Sequence, residues 1–157
     1  MLKIGITGQA GFVGKHLYNT LALFQEEFER VEFQKEFFDD SEKLNNFVLQ
    51  CDVIVHLAAM NRHNDPKVIY EINVGLAAKL VYALEETNSK AHVIFSSSTQ
   101  EERDNLYGKS KKEYWSVLLC DFWSDLDFQN TQNEDFVSFT SGKKPESLIN
   151  LFYGNQK

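Results

Sequence analysis

Gly8-Gln9-Ala10-Gly11-Phe12-Val13-Gly14 is a GxxGxxG pattern, and its flanks decide what it means. Upstream, Leu2–Thr7 (LKIGIT) reads as a short buried strand running into the first glycine. Downstream, residues 13–28 place Val13, Leu17, Leu21 and Phe24 at helical spacing, which predicts a helix. A strand, a glycine turn and a helix in succession form a phosphate-binding arrangement. Gly8 permits the tight turn, Gly11 lets the backbone approach a pyrophosphate, and Gly14 lets the helix pack closely on the strand. The helix N-terminus, with Phe12 and Val13 at its start, then faces the phosphates. Gly8, Gly11, Phe12, Val13 and Gly14 are therefore candidate dinucleotide-binding residues.

Beyond this unit the chain keeps alternating. A second strand is expected over residues 31–34, followed by the stretch Phe37-Phe38-Asp39-Asp40. Ser41 can cap a helix over 42–50, whose apolar face is Leu44, Phe47 and Val48. Residues 53–57 form a β-branched run of the kind found in central parallel strands, buried on both faces. Asp65-Pro66 is a cap followed by a first-turn proline, and opens a helix to about residue 86. Residues 92–95 form a further strand ending in Ser96-Ser97-Ser98, and another helix starts near Tyr107. Strands and helices alternating at this pitch predict an α/β, Rossmann-type doubly wound parallel sheet. Residues 1–120 would be the dinucleotide-binding domain. Residues 121–157 are a divergent tail, acidic and Asn/Gln-rich at first, with room for one strand at 137–139 and one helix at 146–153 packed on the same domain.

Composition narrows the function. A net charge of −7 argues against a nucleic-acid partner, because neutralising phosphates along a backbone takes a Lys/Arg surplus. It leaves a phosphate-bearing cofactor open, since backbone N–H groups can hold one. Cys51 and Cys120 are far apart and outside any CxxC pair, as expected of reduced thiols in a cytoplasmic protein. Met1-Leu2-Lys3 runs straight into a strand, leaving no room for a signal peptide. No apolar run approaches the roughly 20 residues that span a bilayer, so no membrane association is expected. His63 and His92 offer no metal-ligand spacing, so no metal is expected, and the thirteen Phe and six Tyr read as core packing.

Five segments carry a resemblance. Thr7 to Gly14 resembles the TGxxGFxG turn of the extended short-chain dehydrogenases, the NAD-dependent epimerase/dehydratase family. His56-Leu57-Ala58-Ala59 is similar to that family's HLAA segment, at the end of its fourth strand. Asn73-Val74-Gly75 resembles the NxxG-type helix segment, Ser96-Ser97-Ser98 the serine strand end, and Tyr107-Gly108-Lys109-Ser110-Lys111 the YxxxK active-site motif. His56 to Arg62 and Asp104 to Lys111 further resemble the reductase domain of capsular-polysaccharide enzymes that reduce the 4-keto group of a UDP-linked deoxyhexulosamine. That subgroup shares the short step from serine to tyrosine, here nine positions from Ser98 to Tyr107.

The resemblance implies an NAD(P)-dependent enzyme acting on a nucleotide-activated sugar. Ketone reduction by hydride transfer needs a proton donor at the developing alkoxide. Tyr107 would be that general acid/base. Lys111, on the same helix face, would favour the phenolate and hold the cofactor ribose. Ser98 would orient the carbonyl, with Ser97 and Thr99 as alternative hydroxyls. Leu57, Ala58, Ala59 and Asn73 would line the cofactor. Asp39-Asp40 sits where the family contacts adenine, or else caps the next helix. At the end of the second strand an acidic residue selects NAD(H) and a basic one NADP(H). Lys35 and Glu36 stand side by side there; Lys35 matches the capsular reductases, so NADP(H) is preferred with NAD(H) open. Extended members continue well past the YxxxK helix, so the substrate half is expected to be missing or divergent. A dinucleotide-binding module without turnover is the rival expectation, and an uncovered sheet edge would favour self-association.

Overall fold

The structure, a computed structural model, describes residues 1–96, 98–120 and 136–139. Four strands run parallel: β1 (Leu2–Thr7), β2 (Phe28–Val31), β3 (Val53–His56) and β4 (His92–Ser96). A fifth, β5 (Phe136–Phe139), pairs antiparallel with β4, giving the order β2-β1-β3-β4-β5. The sheet is thus parallel with one antiparallel edge strand, a common departure from a purely parallel design. The helices are α1 (Phe12–Leu21), α2 (Ser41–Gln50), α3 (Pro66–Thr87) and α4 (Leu106–Cys120). The helix expected at 146–153 lies outside the described residues.

Alternation along β3 shows how both faces are covered. Val53 and Val55 point to one side and pack with Ile4, Ile6, Ile94 and the α1 residue Leu21. Ile54 points to the other and joins Phe47 and Val48 of α2 and Leu80, Ala83 and Leu84 of α3. All four β3 residues are buried, as a strand covered on both faces demands. Each such aliphatic side chain contributes about 1.5–3 kcal/mol by leaving water. None of the described helices is long and apolar enough to cross a membrane.

Three boundaries differ from the sequence reading. Helix α1 stops at Leu21, and β2 begins at Phe28 rather than Val31. Residues 22–27 form consecutive turns, with Phe24 N–H on the Leu21 carbonyl at 3.1 Å and Phe28 N–H on the Phe24 carbonyl at 2.9 Å. Phe24 continues the helical spacing only by coincidence, and it is 41% exposed. Phe28 is claimed by pairing with Leu2. Lys35 consequently lies in a five-residue 3-10 helix, Lys35–Asp39, and not at a strand end. Ser41 is the first residue of α2, whose cap is Asp40. The HLAA segment ends the third strand here, one earlier than in the family pattern, and the edge of β4 is paired with β5 instead of open.

Candidate active site

In the strand order found, the chain leaves β1 towards β2 on one side and β3 on the other. The crevice beyond their C-terminal ends is the switch point where open α/β sheets bind ligands. Thr7, His56 and Phe95 lie side by side in register at that rim.

The glycine turn rises directly above it. Gly8 has φ +77°, a left-handed conformation in which any side chain is strained. A Cβ there would come within 2.8 Å of the Ala58 backbone nitrogen, so β1 and the loop after β3 meet only because this residue is glycine. At Gly14 a Cβ would run into the Gly8 carbonyl oxygen, which seats α1 tightly on the turn. Gly11 is the N-cap of α1 and provides no side-chain acceptor to the first-turn amides. Phe12 is 82% exposed and Val13 52% exposed beside those amides. A backbone cradle free of side chains at the positive end of a helix dipole suits a pyrophosphate. Leu57 and Ala58 are half-buried next to it and Ala59 is exposed. Leu57 N–H donates to the Thr7 carbonyl at 3.1 Å, and Ala58 N–H to Thr7 Oγ1 at 3.4 Å.

The serine, tyrosine and lysine converge at the end of β4. Ser98 caps a one-turn 3-10 helix, Thr99–Glu102, accepting the Gln100 N–H at 3.2 Å. Gly108 lets α4 press against that turn, because a Cβ there would collide with the Gln100 carbonyl oxygen. The short step from serine to tyrosine depends on this contact. Tyr107 is half-buried, and burial raises its phenol above the ordinary value while a hydrogen bond with Ser98 opposes the rise. Lys111 is buried, and its Nζ donates to the Ser96 carbonyl at 3.0 Å. Burial brings its ammonium down to about 8, with Glu101 pulling the other way. The sequence reading gave Lys111 the task of lowering the Tyr107 pKa. In the structure its ammonium bonds the Ser96 carbonyl and lies 5.8 Å from the Tyr107 ring centroid, while burial raises the phenol and Ser98 opposes the rise. Ser97 and the side chain of Thr99 lie outside the described residues.

The remaining expected residues stand apart from this convergence. Lys35 is 91% exposed, with Glu36 at 3.8 Å. Asp39 pairs with Lys79 of α3 at 3.1 Å, while Asp40 caps α2. Asn73 is fully buried and its amide is committed: Oδ1 accepts Met60 N–H at 2.7 Å, and Nδ2 donates to the Met60 carbonyl and to Ser110 Oγ. It clamps the loop after β3 to α4, one residue before Lys111. Two contributors escaped the sequence reading, His56 and Gly108. The glycine offered a signal, since it lies inside the YxxxK motif, but its neighbour on the 3-10 turn is visible only in three dimensions.

The chain belongs to the NAD dependent epimerase/dehydratase family, which it matches over residues 4–114. It is 36% identical over 124 residues to the UDP-2-acetamido-2,6-beta-L-arabino-hexul-4-ose reductase of Pseudomonas aeruginosa, an alignment covering 74% of this chain and 32% of that protein. Among solved structures it is similar to RMD from Pseudomonas aeruginosa complexed with NADPH, with a TM-score of 0.64 and 22% identity, covering 74% of this chain and 47% of that one. A UDP-glucose 4-epimerase structure matches at a TM-score of 0.64 and 21% identity, covering 74% of this chain and 46% of that one. These structural likenesses show the Rossmann-type fold. The chain spans about a third of the curated relative's length and just under half of these solved structures.

Proposed function

We propose that this chain is the nucleotide-binding half of an NADP(H)-dependent reductase that acts on the 4-keto group of a nucleotide-activated sugar, in the making of surface-polysaccharide precursors. One observation carries the reading: Ser98, Tyr107 and Lys111 meet at the end of β4, on the crevice side of the glycine turn. Likeness to a reductase of a UDP-linked hexulose supports the substrate class. A structural relative complexed with NADPH supports a nicotinamide dinucleotide, and NAD(H) remains the second candidate.

The glycine cradle fits the dinucleotide's phosphates: Gly8, Gly11 and Gly14 clear the space, and the first-turn amides of α1 supply uncapped donors. When bound, the dinucleotide supplies the hydride. Tyr107 holds a proton on its hydroxyl, kept there by burial, and is placed to give it to a developing alkoxide. Ser98 bonds the same phenol and orients the carbonyl beside it. Lys111, with a titration point of about 8, can keep its charge near neutral pH and return a proton to the tyrosine side of the site.

A second reading is a dinucleotide-binding module without turnover, for which the glycine cradle alone would suffice. Tyr107→Phe separates the two. A reductase should lose about 10²- to 10⁴-fold in kcat on a UDP-linked 4-keto sugar with NADPH affinity retained. No turnover by the native chain, alongside saturable dinucleotide binding, would favour the module.

A further inference from the structure

We propose that His56 is a positioning residue that ties the glycine turn to Lys111: anchored on Thr7, its ring sets the plane of Phe95, on which the lysine ammonium rests. This rests on the reading of Lys111 as part of the reacting site. His56 is the last residue of β3, and its neighbours in register are Thr7 on one side and Phe95 on the other. Its ring is about 1% exposed. Nδ1 is 2.8 Å from Thr7 Oγ1, and Thr7 is the residue before Gly8. The ring stacks on Phe95 with centroids 5.4 Å apart and an interplanar angle of 19°. It also meets the edge of Phe38, from the 3-10 turn after β2, at 6.1 Å. Lys111 Nζ lies 5.1 Å from the Phe95 ring centroid while bonding the carbonyl of the next residue, Ser96.

The chemistry follows from the stack. A cation within about 6 Å of an aromatic centroid gains from the ring's negative face, and the gain depends on how the ring is turned. An imidazole packed nearly flat against Phe95 restrains that rotation. For this the imidazole must stay neutral, since a second cation beside the ammonium would be repelled. Burial and Lys111 together bring His56 down to about 3, so the neutral form persists at any working pH. The ionisable groups around Lys111 include Glu101 from the 3-10 turn before α4, Tyr107 on α4 and His56 from β3. The arrangement makes His56 a mechanical link: movement of the Thr7-Gly8 turn passes through it to the ring under Lys111.

The test uses the whole chain and reads Lys111 directly, by competitive amine labelling across pH with mass-spectrometric quantitation, together with NADPH fluorescence titration. His56→Gln can still reach Thr7 but offers no flat ring to Phe95. It should bind NADPH almost as the native chain does while the Lys111 midpoint falls below its native value, by roughly half a unit or more, as the ammonium loses the ring face that favours its charge. His56→Phe keeps a ring and loses the Thr7 bond. It should hold the Lys111 midpoint and weaken NADPH binding about fivefold. Phe95→Leu removes the ring itself with His56 in place, and should lower the midpoint likewise even where His56→Gln folds poorly. An unmoved or raised midpoint in both His56→Gln and Phe95→Leu would overturn the inference. Failure of the native chain to bind either dinucleotide would overturn the functional reading instead, with the Lys111 titration still deciding the role of His56.

Discussion

Helices α2 and α3 begin under a carboxylate, and α1 does not. Asp40 accepts the Lys43 N–H at 3.1 Å, and Asp65 accepts the Lys67 N–H at 2.9 Å. Each satisfies a donor that the helix leaves orphaned, and each brings a negative charge to the positive end of the dipole. Helix α1 starts at Gly11, which has no side chain to do either. The difference is local chemistry with a functional consequence. A capped end has one donor occupied and a carboxylate that repels anions, whereas the end above the β1/β3 crevice carries no such charge and leaves its field available for a ligand. The two aspartate-capped ends are built for stability and the glycine one for binding.

Substitutions in the turn test this contrast most severely. Gly14→Val should destabilise the chain by about 3 kcal/mol through overpacking against the Gly8 carbonyl, and abolish dinucleotide binding, as read by denaturant unfolding and NADPH fluorescence. Gly11→Asp gives α1 the cap its neighbours have. Its unfolding free energy should hold or rise by a few tenths of a kcal/mol, while NADPH affinity falls about thirtyfold, roughly 2 kcal/mol. Stability and binding moving in opposite directions would sharpen the comparison; parallel losses would break it. Asp65→Ala is the converse, expected to cost about 1 kcal/mol in unfolding with NADPH affinity unchanged.

The smallest effect concerns pH at the α2 cap. Hydrogen bonds and charge from Lys43 hold the exposed Asp40 carboxyl below its ordinary value of 3.8. A carboxyl depressed in the folded state contributes stability above its unfolded pKa, and loses it as pH falls through the lower folded value. The melting-temperature gap between native chain and Asp40→Asn should therefore be constant above about pH 5 and close on acidification. A gap that instead widened on acidification would contradict the assignment of Asp40 as an ionised cap.

Much of this architecture is written in short-range pattern, and the exceptions have a common cause. The glycine turn, the Asp65-Pro66 helix start and the β-branched run of β3 were readable because each residue type answers a local requirement of backbone or burial. The position of β2 was not. Phe24 and Phe28 extend the helical period of α1, and only pairing with Leu2, far away in sequence, assigns Phe28 to a strand. The same holds at the site. Tyr107 and Lys111 declare themselves four residues apart, yet the carbonyl that holds the lysine belongs to Ser96 and the ring beneath it to Phe95. His56 reads as one letter of a motif until the parallel register sets it between Thr7 and Phe95. Lys35 illustrates the cost of a boundary error: it lies on a 3-10 turn four residues past the end of β2, so its bearing on cofactor choice belongs to that turn and not to a strand end.

The most direct measurement is a titration of the chain with NADPH and, separately, NADH, following nicotinamide fluorescence and melting temperature together. Saturable binding with a melting temperature that climbs with ligand concentration is the predicted result, since a ligand that binds only the folded state stabilises it by mass action. A folded chain that binds neither dinucleotide and melts at the same temperature with or without them would contradict the account at its centre.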